Sequence, residues 1–166
     1  ETFLYKDLNP LIKKALSSPK VKTVEVVSNG TIIPPTETLE LMKDPRLIFQ
    51  ISHYGKYSRH AEEIKALCDQ MGVKCVVRYP QDKTWSYFGG LHFRGRSEKE
   101  LRRQLKNCAS ICRNFLDGKL YFCPRASFGS KLGMPDDPND FVDLRAETDR
   151  KTLRTKIFEL NQRKYI

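Results

Sequence analysis

Apolar positions along the first eighty residues switch between two periods, and the switching predicts helices and strands in turn. Leu8, Leu11, Ile12, Ala15 and Leu16 recur at helical spacing, and Asn9-Pro10 offers a helix start with Asn as cap and Pro at the first helical position. Thr23 to Ser28 reads as a strand that Asn29-Gly30 breaks, and Pro34-Pro35-Thr36 leads into a short helix carrying Leu39, Leu41 and Met42. Arg46 to Ser52 has the near-continuous apolar centre of a strand buried on both faces. A third helix is expected from Ser58 as N-cap through Ala61, Ile64, Leu67 and Met71 to Gly72 at the C-cap, followed by a third strand from Val73 to Tyr79. Strands separated by amphipathic helices imply βαβ units on a parallel sheet. Ligands of such sheets sit at the carboxyl ends of the strands. That rule singles out Ser28-Asn29-Gly30, Ser52-His53-Tyr54-Gly55 and the stretch from Tyr79 to Trp85.

The pattern changes after Pro80. Residues 80–96 hold Trp85, Tyr87, Phe88, His92 and Phe93 with little period, as in a long structured loop. Ser97-Glu98-Lys99-Glu100 reads as a capping box, and Leu101, Leu105 and Cys108 continue one helical face. Asp117-Gly118 between Arg113–Leu116 and Lys119–Phe122 is a two-residue hairpin signal. Residues 124–144, rich in Gly, Pro and Asp, are expected as a loop, and 147–163 as a last helix with Leu153, Ile157 and Leu160 inward.

Composition narrows the function classes. With 39% hydrophobic and 30% charged residues the chain is an ordinary globular sequence, and no apolar run approaches the roughly 20 residues of a bilayer-spanning helix. A membrane partner is therefore not expected. The formal charge is +10, and residues 84–166 carry 17 basic against 10 acidic side chains. Such a surplus raises the question of nucleic acid, but Lys and Arg interleave with Glu and Asp on helical faces, so nucleic acid is disfavoured as a partner. Five cysteines, an odd number, argue against a fully paired disulfide framework and for a cytoplasmic location. A start at Glu1, with neither initiator Met nor leader, leads us to expect a piece of a larger chain.

The sharpest chemical feature is Cys108-x3-Cys112 ahead of the hairpin and Cys123 just after it. A hairpin brings its two ends together, so three thiolates are expected to converge, a set suited to an iron–sulfur cluster or zinc. The competing reading makes Cys108 a buried helix residue and the other two ordinary strand-end cysteines. Three ligands leave the site one short; His92, or a residue beyond Ile166, would complete it. Cys68 and Cys75 fall in a helix and a strand and are expected as core packing. His53 and His60 could act as acid–base groups, with His60 better suited to a surface or capping role. No nucleophile motif, phosphate loop or paired-carboxylate pattern is present, so no catalytic residue is assigned.

Taken in order, these segments resemble radical SAM enzymes. Glu1-Thr-Phe-Leu-Tyr-Lys-Asp-Leu8 resembles the stretch just after the Gly-Gly of the GGEP motif, with Glu1 as its glutamate and Thr2 in place of the usual proline. Val24 to Thr31 is similar to the strand ending in Thr/Ser-Asn-Gly beside the SAM ribose. Ile51-Ser52-His53-Tyr54-Gly55 occupies the place of a Ser-Leu-Asp-Gly, and Arg59 comes at the spacing of an Arg that meets the SAM carboxylate. Cys108-x3-Cys112, Leu116 to Tyr121 and Cys123-Pro124-Arg125 resemble a SPASM or Twitch auxiliary-cluster segment. The run through Val142-Asp143-Leu144 to Lys164-Tyr165-Ile166 is similar to bacterial members associated with polysaccharide biosynthesis.

The resemblance implies an α/β chain: residues 1–90 as later βα units of a partial TIM-type barrel, and residues 91–166 as a hairpin-plus-helix extension that binds an auxiliary cluster. It implies reductive cleavage of S-adenosylmethionine at a [4Fe–4S] cluster, with Glu1, Ser28, Asn29, Ser52 and Arg59 contacting SAM and Cys108, Cys112 and Cys123 ligating the auxiliary cluster. A flavodoxin or ferredoxin would supply electrons; the substrate is left open. The Cys-x3-Cys-x2-Cys motif that holds the SAM-cleaving cluster does not occur in these residues, so it is expected upstream and the chain alone is expected to be inactive. The rival expectation is a zinc-stabilised basic α/β module that binds nucleic acid or an acidic partner.

Overall fold

Strands β1 (Val24–Ser28), β2 (Leu47–Ser52) and β3 (Cys75–Arg78) form a parallel sheet in that order. The computed structural model that contains them describes residues 1–79, 94–108, 112–134 and 137–162. The chain divides into two units, Glu1–Tyr87 and Phe88–Ile166. The parallel sheet lies in the first, and register pairs Val26 with Phe49 and Phe49 with Cys75.

Period-2 burial explains why these segments are strands. Val26 and Ser28 of β1 and Leu47, Phe49 and Ile51 of β2 are buried, whereas Glu25 and Val27 are exposed. The buried face packs with Ile12 of α1 (Leu8–Leu16), Leu39 of α2 (Thr36–Leu41) and Ile64 of α3 (Ala61–Met71). Leu47, Phe49, Ile51 and Ile64 are 0% exposed, and burying a side chain of this size stabilises by about 1.5–3 kcal/mol. β2 alternates buried and half-buried positions. It is therefore not buried on both faces as its composition suggested, because the packed helices and core lie to one side of the sheet.

Two expected caps act otherwise. Asn9 lies inside α1, which begins at Leu8, and its amide bridges to α2: it donates to Glu37 Oε1 at 3.1 Å and accepts from Thr38 Oγ1 at 3.0 Å. Ser58 does not cap α3, which starts at Ala61. Gly72 does terminate that helix, at φ +71°, with Val73 N–H donating to Cys68 O at 2.8 Å and Gly72 N–H to Asp69 O at 3.3 Å. This pair of bonds satisfies the carbonyls a helix end leaves open.

In the second unit α4 (Glu98–Lys106) begins with the expected capping box between Ser97 and Glu100. β4 (Asn114–Leu116) and β5 (Lys119–Tyr121) make the expected hairpin, with Asp117 and Gly118 both at positive φ. The region expected as a loop contains a helix and a strand, with a short 3-10 turn at Pro138–Asp140 between them. Cys123-Pro124 opens helix α5 (Pro124–Lys131), with Pro at the first helical position, and Phe141–Asp143 adds strand β6 antiparallel to β5. Helix α6 (Arg150–Asn161), capped by Asp149, packs Leu160 with Phe122 and Val142 as a small core. Residues 80–93, which include most of the expected long loop and His92, lie outside the described residues, as do the last four.

Among the described residues no helix is long and apolar enough to cross a membrane.

Candidate functional site

The carboxyl ends of β1 and β2 carry a polar cluster built from three segments. Glu1 precedes a single 3-10 turn (Thr2–Leu4) that Phe3 anchors against Phe49, ring centroids 5.6 Å apart. The Thr2 hydroxyl donates to the Val27 carbonyl and ties this turn to β1. This docking brings the Glu1 carboxylate to the end of β1: Oε1 accepts from Ser28 Oγ at 2.8 Å and Oε2 from the Asn29 N–H at 3.1 Å. Ser28 is 3% exposed, and its hydroxyl also accepts from the Gly30 N–H at 3.0 Å.

Gly30, at φ +72°, lets the chain turn sharply after β1. A Cβ there would stand 3.1 Å from Ile51 Cγ2 and 3.3 Å from both Ala61 Cβ and Ser58 Cβ, so the turn is packed as well as left-handed. The loop after β2 closes over it. Ser58, 4% exposed, donates to the Asn29 carbonyl at 2.6 Å and accepts from the Tyr54 N–H at 2.8 Å, and the Ser52 carbonyl lies 3.4 Å from its hydroxyl. His60 N–H donates to the Gly30 carbonyl at 3.0 Å. Arg59, exposed, sits between those two tethers. Glu1, Ser28, Asn29, Ser52 and Arg59 thus gather at one strand edge, by direct bonds for the first three and by the backbone of the Ser52–His60 loop for the others.

Ser58 is the residue that sequence reasoning assigned elsewhere, since a serine ahead of a helical pattern reads first as a cap. The two histidines differ in setting. The His53 and Tyr79 rings meet at a tilt with centroids 4.7 Å apart, and His53 accepts from Gly55 N–H through Nδ1 at 3.1 Å, while the Tyr79 hydroxyl donates to Glu62 at 2.8 Å and has its pKa raised by that bond. His60 Nδ1 lies 2.9 Å from Glu63 Oε2 on the helix surface, consistent with its expected surface role.

Chemically, the strand-edge cluster offers a carboxylate with two neutral donors and further acceptor sites, next to an arginine. That set suits a zwitterionic ligand with an ammonium group to meet the carboxylate and a carboxylate to meet the guanidinium.

The three cysteines behave differently. Cys108 lies beyond the end of α4 and is exposed, Cys112 is exposed, and Cys123 is half-buried at the start of α5. Among the described residues no group of three or more His, Cys, Asp or Glu side chains comes together to hold a metal ion. The hairpin ladder ends at Asn114 and Tyr121, short of the cysteines. Next to it, the Arg113 guanidinium lies over the Phe122 ring at 4.2 Å and donates to the Phe122 carbonyl at 3.1 Å and Asn161 Oδ1 at 2.7 Å.

A groove of about 750 Å³ in the second unit, between α4, β6 and α6, is lined by paired charges: Glu147 takes Lys156 at 2.8 Å, and Glu98 takes Arg102.

No protein-family model, no curated protein and no solved structure matches the chain. The chemistry open to the site is therefore set by its own groups.

Proposed function

We propose that the chain is part of a radical SAM enzyme and that the strand-edge cluster of its parallel sheet holds S-adenosylmethionine. The observation that carries this reading is the Glu1 carboxylate fixed against Ser28 Oγ and the Asn29 N–H at the end of β1. The three-stranded parallel sheet would be a section of a partial barrel, with its ligand where parallel sheets bind theirs. A [4Fe–4S] cluster and SAM would together supply one-electron cleavage of the sulfonium, the difficult chemistry belonging to the cofactors.

This chain's residues bind and orient. Glu1 would take the ammonium group of SAM through acceptor sites left over after its two bonds. Ser28 and Asn29 would serve the ribose side, and Ser52 and Arg59 the ribose or carboxylate. Ser58 holds the β2 loop against the β1 turn and so positions both sets. Cys108, Cys112 and Cys123 remain proposed auxiliary-cluster ligands on their order along the chain alone, and no step is assigned to them.

Calorimetric titration of SAM onto the chain, as wild type, Glu1→Gln and Ser28→Ala, tests the reading. A hydrogen bond to a charged group is worth about 1.5–3 kcal/mol, so Glu1→Gln should weaken binding by roughly tenfold to a hundredfold, with circular dichroism unchanged. Absence of SAM binding to the folded wild type, or equal affinity in all three proteins, would sink it.

A further inference from the structure

Cys68 and Cys75 share the core of the first unit, and their setting goes beyond packing. The turn at Gly72 folds β3 back along the last turn of α3, bonded by Val73 N–H to Cys68 O. It brings Cys68, 0% exposed, against the first residue of β3. Cys75 packs against the core cluster that contains Cys68, so the two thiols share one side-chain neighbourhood. Cys75 is half-buried, and β3 is an outer strand of the described sheet, so solvent reaches one member of the pair.

We propose that Cys68 and Cys75 form a dithiol site that closes to a disulfide by exchange with small disulfides of the glutathione type. The charged groups facing the pair are on α3: Lys65 and Asp69, which are bonded to one another. The neighbouring Cys68 thiol, with the Lys65 ammonium nearby, holds the Cys75 thiol below its ordinary pKa, whereas the Cys75 thiol and burial push Cys68 up. A thiolate-prone, reachable sulfur beside a buried resolving thiol is the arrangement disulfide exchange needs. The Cys75 thiolate attacks one sulfur of glutathione disulfide, forming a mixed disulfide and releasing one glutathione thiolate. Cys68 then loses its proton and attacks the Cys75 sulfur, releasing the second glutathione. Two protein thiols are oxidised, one glutathione disulfide is reduced to two thiols, and α3 becomes covalently tied to β3.

The test treats reduced, anaerobic full-length chain with glutathione disulfide, quenches with acid and alkylates under denaturing conditions. Peptide mass spectrometry then reads the state of each cysteine. The expected result is a Cys68–Cys75 cross-linked peptide, reversed by dithiothreitol. A Cys68→Ser variant should instead retain glutathione on Cys75, and in untreated native protein iodoacetamide should label Cys75 about tenfold faster than Cys68. If Cys68→Ser does not fold, the labelling ratio in the wild type still decides. Full alkylation of both cysteines after oxidant, or equal labelling rates, would overturn the assignment, as would a wild-type Cys75–glutathione adduct that never closes.

Discussion

The two units of the chain reach stability by different routes. In the first, Leu47, Phe49, Ile51, Ile64 and Cys68 are all 0% exposed, and helices and strands interdigitate around them. In the second, the buried apolar cluster is Phe122, Val142 and Leu160, and much of the order comes from polar fastening: a capping box at α4, an Asp149 cap at α6, and Arg113 locked over Phe122. A site that must hold its donors in place is better built on the first kind of scaffold, and the strand-edge cluster lies there. A unit with a small core commonly relies on a staple such as a metal or disulfide.

Core truncations break or sharpen this contrast most strongly. Phe49→Ala should cost the first unit about 3–5 kcal/mol, while Leu160→Ala should cost the second about 2–3 kcal/mol, at the low end for a leucine because its surroundings are open. Urea unfolding followed separately in each unit measures both, and an equal or larger loss at Leu160 would contradict the picture of one dense and one sparse core. Gly30→Ala should come next, at roughly 1–2 kcal/mol for a side chain in the left-handed region. Because its Cβ would press on Ser58 and Ala61, SAM affinity should fall with it, and a stable variant with unaltered binding would detach the turn from the site.

The smallest effect expected is acid sensitivity, and it should fall mainly on the second unit. There Glu100 is held below its ordinary pKa of 4.5 by Ser97, and Glu147 below the same value by Lys156. Asp117 is held below 3.8 by Lys131, Asp143 by the Arg145 N–H and Asp149 by the Thr152 N–H. In the first unit Asp44, paired with Arg46, is lowered in the same way. A carboxylate whose folded pKa lies below its unfolded one stabilises fully above the unfolded value and loses that contribution as pH falls through the folded one. Acid titration below these ordinary values, read by amide resonances, should therefore loosen α4 and α6 before the parallel sheet, and the reverse order would refute the comparison.

Legibility in the sequence divides along the same line. The parallel strands and the three helices of the first unit were readable because each buries one face, and burial of one face writes a period into the chain. The hairpin was readable because Asp117-Gly118 admits positive φ. Helix α5 and strand β6 were hidden: the Pro124–Lys131 helix has little apolar periodicity, and Phe141–Asp143 is too short to show alternation. Of the site, the strand ends were legible from the topology rule, but the fastening by Ser58 was not, since its partners Asn29 and Tyr54 are set by tertiary folding. The convergence of Cys108, Cys112 and Cys123 rested on the hairpin alone, and the ladder stops before reaching them.

Hydrogen exchange with and without SAM tests the central claim, that the ligand site of this chain is the carboxyl edge of its parallel sheet. Bound SAM should slow exchange at Asn29, Gly30 and the Ser52–His60 loop, and Glu1→Gln should abolish the change. Protection confined to the second unit, or no protection at Asn29 and Gly30 under saturating SAM, would contradict it.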